Sequence, residues 1–281
     1  MNNTFRSSDA LPAVPANPVN RLRWWVHLLI IVAYLAAVGA IGSMRAESKS
    51  PALSHTSTGM LYSCGMELLL FALVFGLAVI VSRASWEDLL LRWRGGFWAA
   101  PLSIAYSVAL RIAVGIIMAA TGMLLVFTGL LTPQSLNNFL VAHRPNVEAA
   151  IDISALRTNP VYFWLSLTLV SFVVAGLREE LWRSAFLAGL RRLWPEKFDS
   201  RTGRIAAVAL AAIVFGLAHI YMGITAVVAA GLLGFGLGAI MVYHRSIWPA
   251  VIAHGMFDAT TMALLPLVME KLHGLQGTIG H

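Results

Sequence analysis

The stretch Val161-Tyr-Phe-Trp-Leu-Ser-Leu-Thr-Leu-Val-Ser-Phe-Val-Val-Ala-Gly-Leu177 is uncharged throughout and runs directly into Arg178-Glu-Glu-Leu-Trp-Arg183. Continued to Leu190, it is long enough to cross a membrane, which takes about 20 residues of helix. The span then carries Arg178, Glu179, Glu180 and Arg183. An Asp, Lys or Arg near the bilayer centre costs at least about 2.5 kcal/mol, so ionisable groups kept there need a use.

The rest of the chain agrees with a membrane reading. Of 281 residues, 58% are hydrophobic and 12% charged, against about 25% charged in an ordinary soluble domain. A chain this apolar cannot cover its surface in water, whereas lipid-facing side chains should be apolar. Hydropathy marks candidate spans at Trp24–Met44, Met60–Ser82, Phe97–Leu131, Val161–Leu190, Ile205–Tyr221, Ile224–Tyr243 and Ile247–Met269. The expected fold is therefore all-α, a polytopic transmembrane helix bundle of about seven spans, within a range of six to eight. The third span is too long for one perpendicular crossing and must tilt, bend or contain a re-entrant piece. The fifth is at the short limit. The polar, Pro-rich residues 1–20 read as a disordered tail rather than a cleavable signal peptide. Residues 21–281 read as a single transmembrane domain, in which Thr132–Pro160 is the longest extramembrane segment. Cys64, the one cysteine, stands in an apolar run and reads as a small buried hydrophobe.

The net charge of +7 sits mainly between spans, so membrane orientation explains it better than nucleic acid, and no nucleic-acid partner is expected. Placing the N-terminus in the cytoplasm puts twelve basic residues inside and five outside, with Arg111, Arg178 and Arg183 within spans. The expectation is an integral, multi-pass protein with a cytoplasmic N-terminus.

Two more segments bring polar groups into the bilayer. Phe215-Gly-Leu-Ala-His219 ends the fifth span, and His254-Gly-Met-Phe-Asp258 lies in the seventh. His254 and Asp258 are four apart and share a helix face. Glu179 and Glu180 are adjacent and point about 100° apart, so they have different jobs. At 1.5 Å per residue, Glu179, His219, His254 and Asp258 lie roughly 16, 21, 10 and 17 Å from the cytoplasmic ends of their spans. Three helices thus bring polar groups to a similar depth. A carboxylate there could take a proton from an attacking water, and an imidazole N–H could stabilise an oxyanion. Arg183 could hold a glutamate ionised. A buried ion-pair network locking helices together, or a transport pathway, fits the same spacing.

These segments resemble the motifs of the CAAX protease and bacteriocin-processing (CPBP, Abi-type) family of intramembrane glutamic proteases. Phe215-Gly-Leu-Ala-His219 resembles its F-x-x-x-H motif. Ser246-Ile-Trp-Pro-Ala-Val-Ile-Ala-His254-Gly-Met-Phe-Asp258 resembles its H-x-x-x-N/D motif and the Trp-Pro before it. The Glu-Glu-Leu-Trp-Arg183 stretch resembles E-E-x-x-x-R with one residue fewer between the second glutamate and the arginine. Counting back from Arg183 puts Glu179 at the second glutamate position and Arg178 at the first; the alternative is a Glu179–Glu180 pair shifted by one residue. The similarity covers about residues 161–265, the conserved half of such proteins.

The resemblance implies an intramembrane endopeptidase acting on a peptide or protein with a membrane-proximal or prenylated segment. The implied site is Glu179, Glu180, Arg183, His219, His254 and Asp258. Glu179 is favoured as the base, His219 assists it, and His254 and Asp258 stabilise the oxyanion. No cofactor is expected; zinc is the alternative, since members have also been described as metalloproteases and Glu, His and Asp can ligate it. A transporter and a catalytically inactive scaffold of the same fold are the competing readings.

Among the other residues, Glu67 and Arg111 would pair with each other or line the cavity, His27 reads as a satisfied interfacial histidine, and Gly234 and Gly238, four apart, permit close helix packing.

Overall fold

The computed structural model describes residues 20–47, 53–94 and 96–279; the expected tail at 1–20 lies, but for Asn20, outside them. Long helices dominate: α1 (Arg21–Glu47), α2 (Ser57–Ser82) and α3 (Ala99–Phe127). The extramembrane segment folds into two short helices, α4 (Pro133–Ala142) and α5 (Ile153–Thr158). There follow α6 (Pro160–Leu193), the single turn α7 (Pro195–Phe198), α8 (Arg201–Leu217), α9 (Ile224–His244) and α10 (Trp248–Ile279). Among the described residues, six helices are long and apolar enough to cross a membrane: α1, α2, α3, α6, α9 and α10. The all-α polytopic bundle expected from hydropathy is the fold observed.

Two spans differ from expectation. The fifth, placed at Ile205–Tyr221, is a helix of 17 residues that begins and ends earlier. Ser200 caps its start by accepting from the Gly203 amide at 3.0 Å. At its end the chain turns through Ile220–Met222 into Gly223, whose φ of +99° suits a residue without Cβ. His219 therefore sits on a turn and not inside a span. The third is a helix of 29 residues; the excess length at Thr128–Leu131 is a turn containing Gly129 at φ +73°. This helix lies at the edge of the bundle, with only Ala99, Ser103 and Ser107 buried.

The core gathers the inner faces of α1, α6, α8, α9 and α10, including Ile31, Trp182, Phe215, Leu237, Met241 and Ile247. Trp182 is buried and donates its indole N–H to the Ile31 carbonyl at 2.9 Å, fixing α6 against α1. His27 is also buried, with its ring nitrogens 3.0 Å from the carbonyls of Ala78 and Ala185. Cys64 is buried in a smaller cluster with Met60, Ile151 and Tyr162. Ile80, Leu124 and Phe127 point outward, as lipid-facing residues should.

Glycines set the closest approaches. A Cβ on Gly216 of α8 would stand 2.7 Å from the Val227 carbonyl of α9, and one on Gly176 of α6 would stand 2.9 Å from the Val251 carbonyl of α10. Within α6, Ser166–Leu177 is π-helical over 12 residues. Ser171 Oγ donates to the Ser166 carbonyl five residues back at 2.7 Å. Such segments concentrate at functional sites, and this one delivers the chain directly to Arg178.

One end of the bundle is basic. Arg21 donates to the Leu193 carbonyl at 3.3 Å, and Arg192 pairs with Asp88 at 2.6 Å. The start of α1, the end of α6 and the turn after α2 therefore meet there.

Candidate active site

α6 and α10 build the centre. The small residues Gly176 and Gly255 let the two helices approach closely, and one turn from that contact lie Glu179, Glu180 and His254. His254 Nδ1 is 3.0 Å from Glu180 Oε1. Its other nitrogen, Nε2, is 3.8 Å from Glu179 Oε2 and 3.7 Å from Asp258 Oδ2. The adjacent glutamates do point apart, yet they reach opposite nitrogens of one ring.

The two carboxylates differ in surroundings. Glu180 is fully buried and ion-paired with the equally buried Arg183. The Arg183 guanidinium lies 4.7 Å over the Phe215 ring and otherwise finds no hydrogen-bond acceptor among the described residues. Gly234 and Gly238 make room for it. A Cβ on Gly234 would stand 3.3 Å from Arg183 Nη2, and one on Gly238 would stand 3.4 Å from Arg183 Cδ. The glycine stripe thus holds an arginine as well as closing a helix pair.

Glu179 retains 15% exposure and pairs with Arg178 Nη2 at 2.8 Å. Arg178 also pairs with Glu67 of α2. Glu179 and Arg178 line a small cavity with Tyr34, Leu35, Val38, Trp182 and Phe215. The Tyr34 hydroxyl is buried and has no hydrogen-bond partner among the described residues.

His219 comes from the turn after α8. Its Nδ1 is 2.9 Å from the Phe215 carbonyl, and its ring stacks on Tyr221 with centroids 6.4 Å apart. Tyr221 lies within electrostatic reach of Glu179 and Arg178. Phe215 of α8, whose carbonyl faces His219, forms one wall of the cavity.

One sequence expectation needs correction. Glu67 and Arg111 do not pair with each other. Glu67 is taken by Arg178, whereas Arg111 of α3 donates to the Phe257 carbonyl and Thr260 Oγ1 at 2.7 Å and to Thr261 Oγ1 at 3.1 Å. It sits 4.2 Å over the Phe257 ring, next to Asp258 in the chain. Arg183 stands four residues from Glu179 and three from Glu180, and helix spacing allows either partner. Arg183 selects Glu180, leaving Glu179 to Arg178. Tyr34, Tyr221 and the role of Arg178 escaped the sequence reading, because a Tyr in an apolar run and an Arg next to a Glu carry no distinctive spacing.

The donor set does not fit a metal. Glu180 and His254 Nδ1 are spent on each other and on Arg183, His219 Nδ1 faces a carbonyl, and among the described residues no three His, Cys, Asp or Glu side chains converge as ligands would.

Residues 160–260 match the family model described as Type II CAAX prenyl endopeptidase Rce1-like. The three motifs, at 178–183, 215–219 and 246–258, fall within this match, which supports an intramembrane protease activity in general terms. No curated protein and no solved structure matches the chain.

Proposed function

Taking residues 160–260 as a segment of the Rce1-like CAAX protease family, we propose that the chain is an intramembrane glutamic endopeptidase in which Glu179 activates water. The observation that carries this reading is the convergence on His254 Nε2, with Glu179 Oε2 at 3.8 Å and Asp258 Oδ2 at 3.7 Å. Glu179 is the accessible member of the glutamate pair and lines a cavity, as a base that must meet water requires.

In this mechanism Glu179 takes a proton from water as the oxygen adds to the scissile carbonyl, then returns it to the departing amine. His254 offers Nε2–H to the oxyanion, with Nδ1–H held by Glu180 and Asp258 alongside. His219 helps position the water from the turn after α8, where the Phe215 carbonyl faces its Nδ1. Glu180 and Arg183 are positioning residues that act through His254. Residues 21–281 act as one membrane domain, with the catalytic half at about 161–265. The N-terminus and the basic end of the bundle face the cytoplasm. The substrate is a peptide or protein that brings a membrane-proximal or prenylated segment to the bundle.

The test is cleavage of a membrane-peptide library, prenylated and unprenylated, by the purified protein. Cleavage that disappears with Glu179→Ala supports the reading. Cleavage that survives it, or none by the folded wild type, sinks it.

A further inference from the structure

We propose that Arg111 of α3 is a positioning residue for the reaction, setting Asp258 against His254 Nε2 from outside the catalytic half. Its catalytic consequence rests on the peptidase reading given above; its geometry does not.

α3 lies outside residues 160–260, the segment that matches the family model, so that match gives Arg111 no task. Arg111 is the one charged residue in the sequence Ala99–Phe127. It stands twelve residues beyond Ala99, about 18 Å along the helix axis. At that depth an arginine is costly and needs a use.

What it meets is one turn of α10. Nη2 donates to the Phe257 carbonyl and to Thr260 Oγ1, both at 2.7 Å, and Nη1 donates to Thr261 Oγ1 at 3.1 Å. The guanidinium also lies 4.2 Å over the Phe257 ring. The two threonines are set to receive it. A hydroxyl has one proton and two lone pairs. Thr260 spends its proton on the Met256 carbonyl at 2.7 Å, and Thr261 spends its own on the Phe257 carbonyl at 2.8 Å. Both oxygens are thereby left as acceptors for the planar fork of an arginine.

This turn carries Asp258. The Phe257 carbonyl belongs to the peptide bond that joins Phe257 to Asp258, so Arg111 holds that peptide and the ring beside it. On the other side, a Cβ on Gly255 would run into the Phe172 ring of α6. α10 is thus held between α6 and α3 at the level of the site. Asp258 Oδ2 is 3.7 Å from His254 Nε2, too far for a hydrogen bond, so backbone placement sets that distance. The Arg111 charge is also within electrostatic reach of the Asp258 carboxylate. A plain clamp between α3 and α10 would affect stability alone, whereas a positioning residue also moves the site.

The experiment pairs peptidase kinetics with NMR of the purified full chain carrying isotope-labelled histidine. The His254 signal is the one missing from His254→Gln. Arg111→Gln should lower kcat about tenfold or more, toward the roughly 10²-fold that misplacing a group by about 1 Å can cost. KM should be nearly unchanged, and the His254 signal should move. Arg111→Lys keeps the charge and a donor for the Phe257 carbonyl, and should recover part of kcat. Tyr106→Phe removes another polar contact of α3, between the Tyr106 hydroxyl and His244 Nε2 3.0 Å away. It should leave kcat and the His254 signal as they are. If Arg111→Gln does not fold, Thr260→Val/Thr261→Val removes two of the three acceptors without changing side-chain shape. It should show the same changes to a lesser degree, and wild-type values there would overturn the role of Arg111. So would an unmoved His254 signal in folded Arg111→Gln, a raised KM with kcat intact, or an equal loss of kcat in Tyr106→Phe. Wild type that cleaves no peptide sinks the peptidase reading instead, and the His254 signal still decides whether Arg111 sets the site.

Discussion

His254 Nδ1 lies 3.0 Å from Glu180 Oε1, and Glu180 is in turn ion-paired with Arg183. The ring is thereby held on the face away from Glu179, leaving Nε2 for chemistry. An ionised carboxylate only accepts hydrogen bonds, so Glu180 keeps a proton on Nδ1, and in the proposed mechanism, where Nε2–H also donates, His254 acts as the imidazolium.

The first expected outcome separates the glutamates. Glu179→Gln keeps shape but removes the proton acceptor, and should lower turnover by about 10²–10⁴, the usual cost of losing a general base. Its melting temperature should be nearly unchanged. Glu180→Gln can still accept from Nδ1–H but no longer offsets Arg183, and should lose stability while keeping measurable activity. Peptidase rates and thermal melts of both variants check this. An active Glu179→Gln beside a folded, dead Glu180→Gln would reverse the assignment.

Arg183 is expected to act chiefly on stability. Removing one member of a buried ion pair costs about 3–5 kcal/mol, because the other charge is left uncompensated. Arg183→Met should melt well below wild type, and Glu180→Gln/Arg183→Met should recover part of the loss. A double-mutant cycle on melting or detergent-unfolding data measures the coupling; purely additive effects would argue that the pair is not coupled.

Gly216 tests the packing of α8 on α9. Its missing Cβ would stand 2.7 Å from the Val227 carbonyl, with Gly231 Cα at 3.2 Å. Both obstacles are backbone and cannot swing aside. Gly216→Ala should therefore destabilise by about 1–3 kcal/mol, the usual cost of overpacking. Gly115, with open space where its Cβ would be, serves as the control, and Gly115→Ala should melt like wild type.

Orientation is expected to follow the positive charges, with the turn between α6 and α8 in the cytoplasm. Lys197 is exposed in this turn, and Cys64 is buried, so Lys197→Cys provides a single addressable thiol. It should resist an impermeant thiol reagent in intact cells and label after lysis. Ready labelling in intact cells would invert the bundle.

Metal dependence is the fifth test. With no converging donor set among the described residues, activity should persist after treatment with a strong zinc chelator. Loss on chelation, with recovery on stoichiometric zinc, would make ligands of His219, His254 and Asp258.

The sequence carried the fold because a bilayer imposes one strong rule, about 20 apolar residues per crossing, and α1, α2, α6 and α9 obey it plainly. It misplaced the fifth span because Ile220 and Tyr221 are as apolar as the residues before them. α8 ends at Leu217, and the chain then turns through Ile220–Met222 to Gly223 before α9 starts, which hydropathy does not register. The six candidate residues were legible as ionisable groups with helical spacing. Their partners were not, because an arginine with glutamates at three and four residues' distance can choose either. The choice of Glu180 is made by α9, whose Gly234 and Gly238 leave a slot for Arg183, and by α8, which lays Phe215 beneath it. The partners of Glu67 and Arg111 depend likewise on which helices become neighbours, which is a property of the assembled bundle.

The π-helical segment Ser166–Leu177 has a consequence for how this protein can change over time. A π turn takes up more residues than an α turn, so the segment acts as a phase shifter between the two halves of α6. Deleting a single residue there, such as Val173, with the π turns kept, would leave the phase of the span uncompensated. Everything downstream would rotate by about 100°, the angle of one residue. Glu179 and Glu180 would then exchange or lose their bearings on His254 without either being mutated. The hydropathy of the span would be almost the same before and after. Insertion or loss of one lipid-buried aliphatic residue is thus a lever on catalysis that substitution counts would score as neutral.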